Sequence, residues 1–254
     1  RQSKTGSHAS IRLVHSPRNP GPLRDPRGVA KFRHEAVAVV LRVGLPDLAP
    51  PRLEVLAHRR RRPPFEGGWA LPSGPVEVDE TLDESVLRHL AQRTGVAAPA
   101  HLEQLETRGT PGRDPWDRTI ATAFLALLPW SGAPGPGGDL AWLPVAELPG
   151  MAFDHGELTR AAAERLRAKL SYTNIAFALA PETFTLAQLR DAYSAVLGHE
   201  VSATNLQRIL TRRGQLAATG ERAVPGAGGG RPAQLHRFTR RELTVTDPFA
   251  VLRP

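Results

Sequence analysis

The chain has 254 residues, 41% of them hydrophobic, no cysteine, and a formal net charge of +8 from 33 basic and 25 acidic side chains. That length suits one large domain or two ordinary ones, and the lack of cysteine excludes a disulfide scaffold, a zinc finger, an iron–sulfur centre and thiol catalysis. No run of about 18 apolar residues exists to cross a membrane, and RQSKTGSHAS lacks the apolar core of a signal peptide, so a soluble cytoplasmic protein with no membrane contact is expected.

Residues 1–33 hold eight basic residues and one acidic, with Pro17, Pro20, Pro22 and Pro26 and little apolar periodicity. They predict a flexible basic arm. Strands are predicted at AVAVVLRV from Ala36 and at Leu53–His58, followed by the basic loop HRRRRPPFEGG and a short WALP strand. Next comes a helix. Thr81 and Glu84 have capping-box spacing, Leu82, Val86, Leu87 and Leu90 form an apolar stripe, and Gly95 supplies the stop. Strands at Thr119–Leu128 and LAWLPV flank a Gly/Pro loop, and a helix spans Gly156–Leu170. This middle part, 34–170, carries 15 basic and 18 acidic residues.

From Ser171 the character changes. Helical patterns occur at Asn174–Ala180, Leu186–Leu197 and Ala203–Arg212, with Thr185 and Ser202 as natural N-caps. Strand-like pieces at Gln215–Thr219 and Gln234–Thr239 are joined by VPGAGGGRP. Three helices and a hairpin is the plan of a winged helix-turn-helix. Residues 171–254 carry ten basic and six acidic side chains, so an acidic middle lies between basic ends. That distribution suggests a polyanion held by the ends. The alternative is a solvated arm plus arginine-rich coding, since only Lys4, Lys31 and Lys169 are lysine.

Gly74, Glu80, Arg88, Leu90, Gly95 and Val96 fall in the register of the Nudix box: Gly, five residues, Glu, seven residues, then Arg-Glu-aliphatic-any-Glu-Glu-any-Gly-aliphatic. Glutamates in that box hold divalent metals against a pyrophosphate. Here their three positions are His89, Gln92 and Arg93. Losing all three removes the oxygen donors a hard cation requires, and Arg93 sets a fixed positive charge where the metal sits. The fold is expected to persist without metal-dependent hydrolysis, and with no metal site.

The segments PFEGGWALPSGPVEVDETL, LEQLETRGTPGRDPWDR, MAFDH and SYTNIAFALAPETFTLAQLRDAYSAVLGHEVSATNLQRIL…GRPAQLHRF occur in one order. Together they resemble the Nudix-related transcriptional regulators of NAD biosynthesis, the NrtR family, over roughly residues 34–240. Ser73 departs from the family's WALPGG, and residues 1–33 are a longer arm. The resemblance implies an α+β chain: a Nudix-like αβα sandwich at 34–156, a linker helix at 157–172 and a C-terminal winged helix-turn-helix domain at 173–254. It also implies a homodimeric repressor of NAD synthesis or salvage genes on palindromic double-stranded operator DNA. ADP-ribose is the implied effector, and no cofactor is needed. The alternative is an active Nudix hydrolase of ADP-ribose or a related nucleoside diphosphate, using Glu77 and Glu80 as metal ligands.

Binding ADP-ribose calls for cations at the pyrophosphate, acceptors at the ribose and an apolar or aromatic surface at adenine. The candidates are Arg59, Arg60, Trp69, Arg113, Asp114, Arg118, Asp154 and His155, with Arg113 and Arg118 foremost as phosphate forks. Each has a plainer alternative: Asp114 organising its own turn, Trp69 filling the core, His155 capping the helix near Gly156. For DNA, Ala203–Arg212 is the recognition helix, with Thr204, Asn205, Gln207 and Arg208 toward the bases and Arg212 and Arg213 toward phosphates. Thr185 and Gln188 start the preceding helix, where backbone amides meet a phosphate, and Arg231 belongs to the wing. Asn205 has a rival reading as an internal hydrogen-bonding residue of the helix-turn-helix.

Overall fold

A computed structural model describes residues 24–45, 50–131, 137–223 and 232–249. Most of the basic arm therefore lies outside the described residues. Its last part forms a turn in which Asp25 accepts from the amides of Arg27 and Val29.

The first element, β1 (Arg33–Gly44), explains the rest of the domain. Its continuous apolar run is buried on both sides, because alternate side chains enter different cores. Val37, Val39, Leu41 and Val43 face one core, whereas Ala36, Ala38 and Val40 face the other. β1 pairs antiparallel with β2 (Arg52–Arg59) through Leu41–Gly44, then changes partner to β4 (Ser73–Pro75) through Glu35–Val37. The short β3 (Trp69–Ala70) continues along β2. Helix α1 (Leu82–Thr94) has the expected capping box at Thr81 and Glu84 and ends on Gly95 in the left-handed region. Its Val86 and Leu90 close the second core.

β5 (His101–Arg108) pairs antiparallel with β6 (Thr119–Leu127), which runs parallel to β1 along its length. No strand is expected at β5 from its sequence. It is polar, with Leu105 its one buried residue, and its register shifts between Gln104 and Glu106. β7 (Leu140–Pro144) covers the other edge of β2.

Helix α2 (His155–Tyr172) is more than a linker. Leu158, Ala162, Ala163, Leu166 and Leu170 are buried in the first core, making α2 the third layer of the αβα sandwich. Thr173 is extended and ends it. The helix expected at Asn174–Ala180 is corrected to a single 3₁₀ turn, Ile175–Ala178. Asn174 is drawn away by its own side chain, which donates to the Glu242 carbonyl and accepts from the Thr244 amide.

β8 (Phe184–Thr185), α3 (Leu186–Leu197), α4 (Ala203–Arg212), β9 (Leu216–Arg222) and β10 (Gln234–Phe238) complete the winged helix, the strands pairing in the order β8-β10-β9. The two domains share one core. Ile175, Phe177, Leu179, Phe184, Leu189 and Val196 belong to the same buried cluster as the β1 and α2 side chains. Trp130 donates its amide to the Leu179 carbonyl at 2.9 Å, and its ring meets Phe184 edge-on at 6.0 Å. No helix among the described residues is long and apolar enough to cross a membrane.

Candidate functional site

The Nudix-box loop and helix are braced by groups with defined tasks. Arg88 grips Glu80 with Nε at 2.9 Å and Nη2 at 2.5 Å, and its Nη2 also reaches the Pro75 carbonyl at 3.1 Å. The hydrogen bond from Arg88 holds the Glu80 carboxyl down to about 2. Gly74 is required for space: a Cβ there falls 2.1 Å from Cε1 of His89. The His89 ring is buried and its Nε2 hydrogen-bonds the Pro75 carbonyl at 2.8 Å. Gln92 and Arg93 stand exposed on the last turns of α1.

The expected effector residues gather on three segments. In the loop after β2, Arg59 lies 4.0 Å over the Trp69 ring and donates to the Gly67 carbonyl. Arg60 lies 4.7 Å over the Phe153 ring, with its Nε on the Pro64 carbonyl. The turn 151–155 is stitched to β3: the Ala152 amide donates to the Trp69 carbonyl and the Leu71 amide to His155 Nδ1 at 3.0 Å. Complete burial brings the His155 pKa down to about 3, so it is a neutral acceptor. In the 109–118 loop, Arg113 forks onto Asp154 at 2.6 and 3.0 Å, with only 3% of its side chain exposed and its Nη1 buried without a partner among the described residues. Burial raises the Asp154 pKa, but the Arg113 hydrogen bond and charge outweigh this and lower it.

Asp114 accepts from the Trp116 amide at 2.9 Å, which organises its own turn. Arg118 packs over Phe32 at 5.1 Å and reaches the Thr119 carbonyl at 3.4 Å.

The recognition-helix side chains share an outward face. Thr204, Asn205, Gln207, Arg208 and Arg212 are all exposed, while Leu206 and Leu210 face inward. Arg208 donates to Asn205 Oδ1 at 3.0 Å. The capping box of α3 occupies both Thr185 and Gln188: Thr185 Oγ1 accepts from the Gln188 amide, and Gln188 Oε1 from the Thr185 amide. Arg231 lies outside the described residues.

A NUDIX domain model matches residues 33–162, and a model described as the NrtR DNA-binding winged helix domain matches residues 176–238. An ADPR responsive transcriptional repressor, NtrR, from Acinetobacter baylyi is 30% identical over 78% of this chain and 80% of its own. The chain belongs to the NrtR family. The crystal structure of Shewanella oneidensis NrtR is similar at 31% identity and a TM-score of 0.69, covering 81% of this chain and 94% of that one, and the similarity is the same for that protein complexed with a 27mer DNA, with 93% of that chain covered. An ADP-ribose pyrophosphatase from Methanocaldococcus jannaschii is 31% identical over 54% of this chain and 78% of its own.

Within this NrtR-family frame, Arg213 differs in place from its expected companions. It caps α4 and turns inward, donating to the Ser171 carbonyl at 3.0 Å and pairing with Asp247 at 2.7 Å. The site also contains residues that sequence reasoning passed over. Phe65 and Phe153 meet edge-on at 5.0 Å, with Phe153 also 5.3 Å from His155 and Arg60 above it. Both have positive φ, 61° and 53°, a strained backbone for a bulky residue. Phe65 is 46% exposed, which makes this pair an aromatic surface open to a ligand. The visible signal was the pair of phenylalanines flanking glycine and aspartate in FEGG and FDH.

Proposed function

We propose that this protein is a homodimeric DNA-binding repressor of NAD biosynthesis or salvage genes. Its Nudix domain binds ADP-ribose without hydrolysing it, and binding releases a palindromic operator. It acts in the cytoplasm. The observation that carries the reading is the outward face of α4: a row of exposed hydrogen-bonding and cationic side chains, Thr204, Asn205, Gln207, Arg208 and Arg212, on a winged helix. Asn and Gln suit adenine edges and Arg suits guanine. The Acinetobacter relative's response to ADPR and the Shewanella relative's DNA complex support the same assignment.

The chemistry of the box supports binding without hydrolysis. Its three ligand positions offer a histidine ring committed to Pro75, an exposed amide and a guanidinium, a set that does not fit a hard divalent cation. The hydrolase alternative draws on the pyrophosphatase relative and needs unconventional metal ligands, for example Glu77 and Glu80. Glu80 is held by both nitrogens of the Arg88 fork and accepts from the Glu77 amide at 2.8 Å.

The shared core gives the regulation its form. With sheet, α2 and winged helix packed in one cluster, a ligand acts on how two such bodies are arranged in the dimer. It weakens DNA binding by as much as its affinity differs between the arrangements, and no more. The test is fluorescence anisotropy of a palindromic duplex from the gene's own upstream region, titrated with ADP-ribose in EDTA. Specific binding that ADP-ribose reverses is expected; absence of specific binding at moderate salt contradicts the repressor.

A further inference from the structure

Most cations around the Nudix helix have an internal carboxylate. Arg88 has Glu80, Arg113 has Asp154 and Arg33 has Glu35. Two do not. Arg60 on the loop after β2 spends its Nε on the Pro64 carbonyl and its face on Phe153, and forms no ion pair among the described residues. Arg93, exposed on the last turn of α1, forms none either among those residues. Leu56 of β2 lies in the same buried cluster as Val86 and Leu90 of α1, so strand alternation turns His58, and Arg60 just beyond the strand, toward the α1 face, where Arg93 follows Leu90 by three residues. Burial lowers the pKa of Arg60, Glu35 and Asp114 push it back up, and the charges of Arg93 and Arg33 lower it further. His58 beside them is lowered by burial and by the charges of Arg93 and Arg60. Glu35 and Asp114 are the larger charge influences on Arg60, and an anion set between the two guanidiniums relieves the repulsion that is left.

We propose that Arg93 takes the place of the divalent cation: with Arg60 it clamps the diphosphate of the nucleotide ligand, so that binding needs no metal. The inference rests on the effector reading above and deepens it. For binding alone, a metal's contribution is positive charge and fixed geometry at the phosphate oxygens. A guanidinium supplies both, since it is permanently charged and its planar fork matches two oxygens at once. It also stands at the third glutamate position of the box, and Arg60 covers Phe153, whose pair with Phe65 offers a surface for the base. With no ion pair among the described residues, Arg93 breaks none of them to engage the ligand.

The experiment is calorimetric titration of ADP-ribose into the full chain, once in EDTA and once in magnesium. Wild type is expected to bind with the same Kd, within about twofold, in both. Arg93→Ala is expected to lose at least about tenfold in both, as a lost charge-assisted contact implies, and Arg93→Lys to recover part of that. Arg93→Glu is expected to bind weakly in EDTA and to regain affinity in magnesium. Recovery in the lysine variant separates loss of charge from misfolding. Wild-type binding that disappears in EDTA, or an Arg93→Ala protein that binds like wild type, overturns the assignment. Wild type that fails to bind in either buffer overturns the effector reading, and Arg93's role with it.

Discussion

Arg113 and Asp154, 41 residues apart in sequence, are joined by a two-pronged ion pair that fastens the 109–118 loop to the start of α2. At the other end of the same helix, the Tyr172 carbonyl accepts from the Thr246 and Asp247 amides, and the Ser171 carbonyl from Arg213 of the recognition helix. The 18 residues of α2 thus form a rod of about 27 Å between the 109–118 loop of the Nudix domain and the winged helix.

This relationship changes what Arg113→Ala reports. The substitution leaves Asp154, 15% exposed, without its partner. A loss of about 3–5 kcal/mol is expected, read as a lower denaturant midpoint. Arg113→Ala with Asp154→Ala should recover part of it, because removing both charges leaves neither uncompensated. An Arg113→Ala protein as stable as wild type contradicts the structural role.

His155 gives the protein an acid-sensitive limb. Asp154 raises its pKa, but burial first, and then the charges of Arg113, Arg60 and His58, bring it from 6.5 to about 3. Between those values the unfolded chain binds a proton that the folded chain does not. The contribution of neutral His155 is therefore complete above pH 6.5 and is lost as pH falls toward 3, at up to about 1.4 kcal/mol per pH unit. His155→Gln keeps an acceptor for the Leu71 amide and should flatten this limb in urea titrations from pH 7 to 4. An unchanged slope contradicts the assignment.

Gly74 and His89 should couple. Gly74→Ala drives a Cβ into the His89 ring, at a cost of about 1–3 kcal/mol by the usual penalty for overpacking. His89→Ala alone loses a buried ring and its bond to Pro75. In the double variant the clash is gone, so the two costs sum to less than their separate values. Strict additivity in thermal or denaturant unfolding argues against the close approach.

Arg212 and Arg213 are neighbours with opposite expectations. Exposed Arg212 suits a phosphate, and Arg212→Ala should lower the salt slope of operator binding by about 1. Inward-turned Arg213 is tied to Ser171 and Asp247, so Arg213→Ala should lower stability and leave the slope unchanged. Equal slopes for the two variants contradict this division.

Features encoded within one segment were legible in the sequence. The Thr81–Glu84 capping box, the N-cap at Thr185, the stop at Gly95 and the AVAVVL strand all follow from spacing or pattern over a few residues. β5 was hidden because its shifted register breaks alternation and its edge position leaves it polar. Asn174–Ala180 has helical composition, but Asn174 finds distant backbone partners at Glu242 and Thr244. In the site, the residue types were readable and the division of labour was not. Whether an arginine is paired, as Arg113 and Arg213 are, or forms no ion pair among the described residues, as with Arg60 and Arg93, depends on carboxylates brought from far along the chain.

The central claim is that one protein binds operator DNA and ADP-ribose in opposition. The most direct measurement is reciprocal linkage in EDTA at fixed salt: the Kd for the duplex with and without saturating ADP-ribose, and the Kd for ADP-ribose with and without saturating duplex. Each ligand is expected to weaken the other by the same factor, about 5–150-fold, since coupling between two sites is mutual. Independent affinities, or ADP-ribose consumed to AMP and ribose phosphate during the titration, would contradict it.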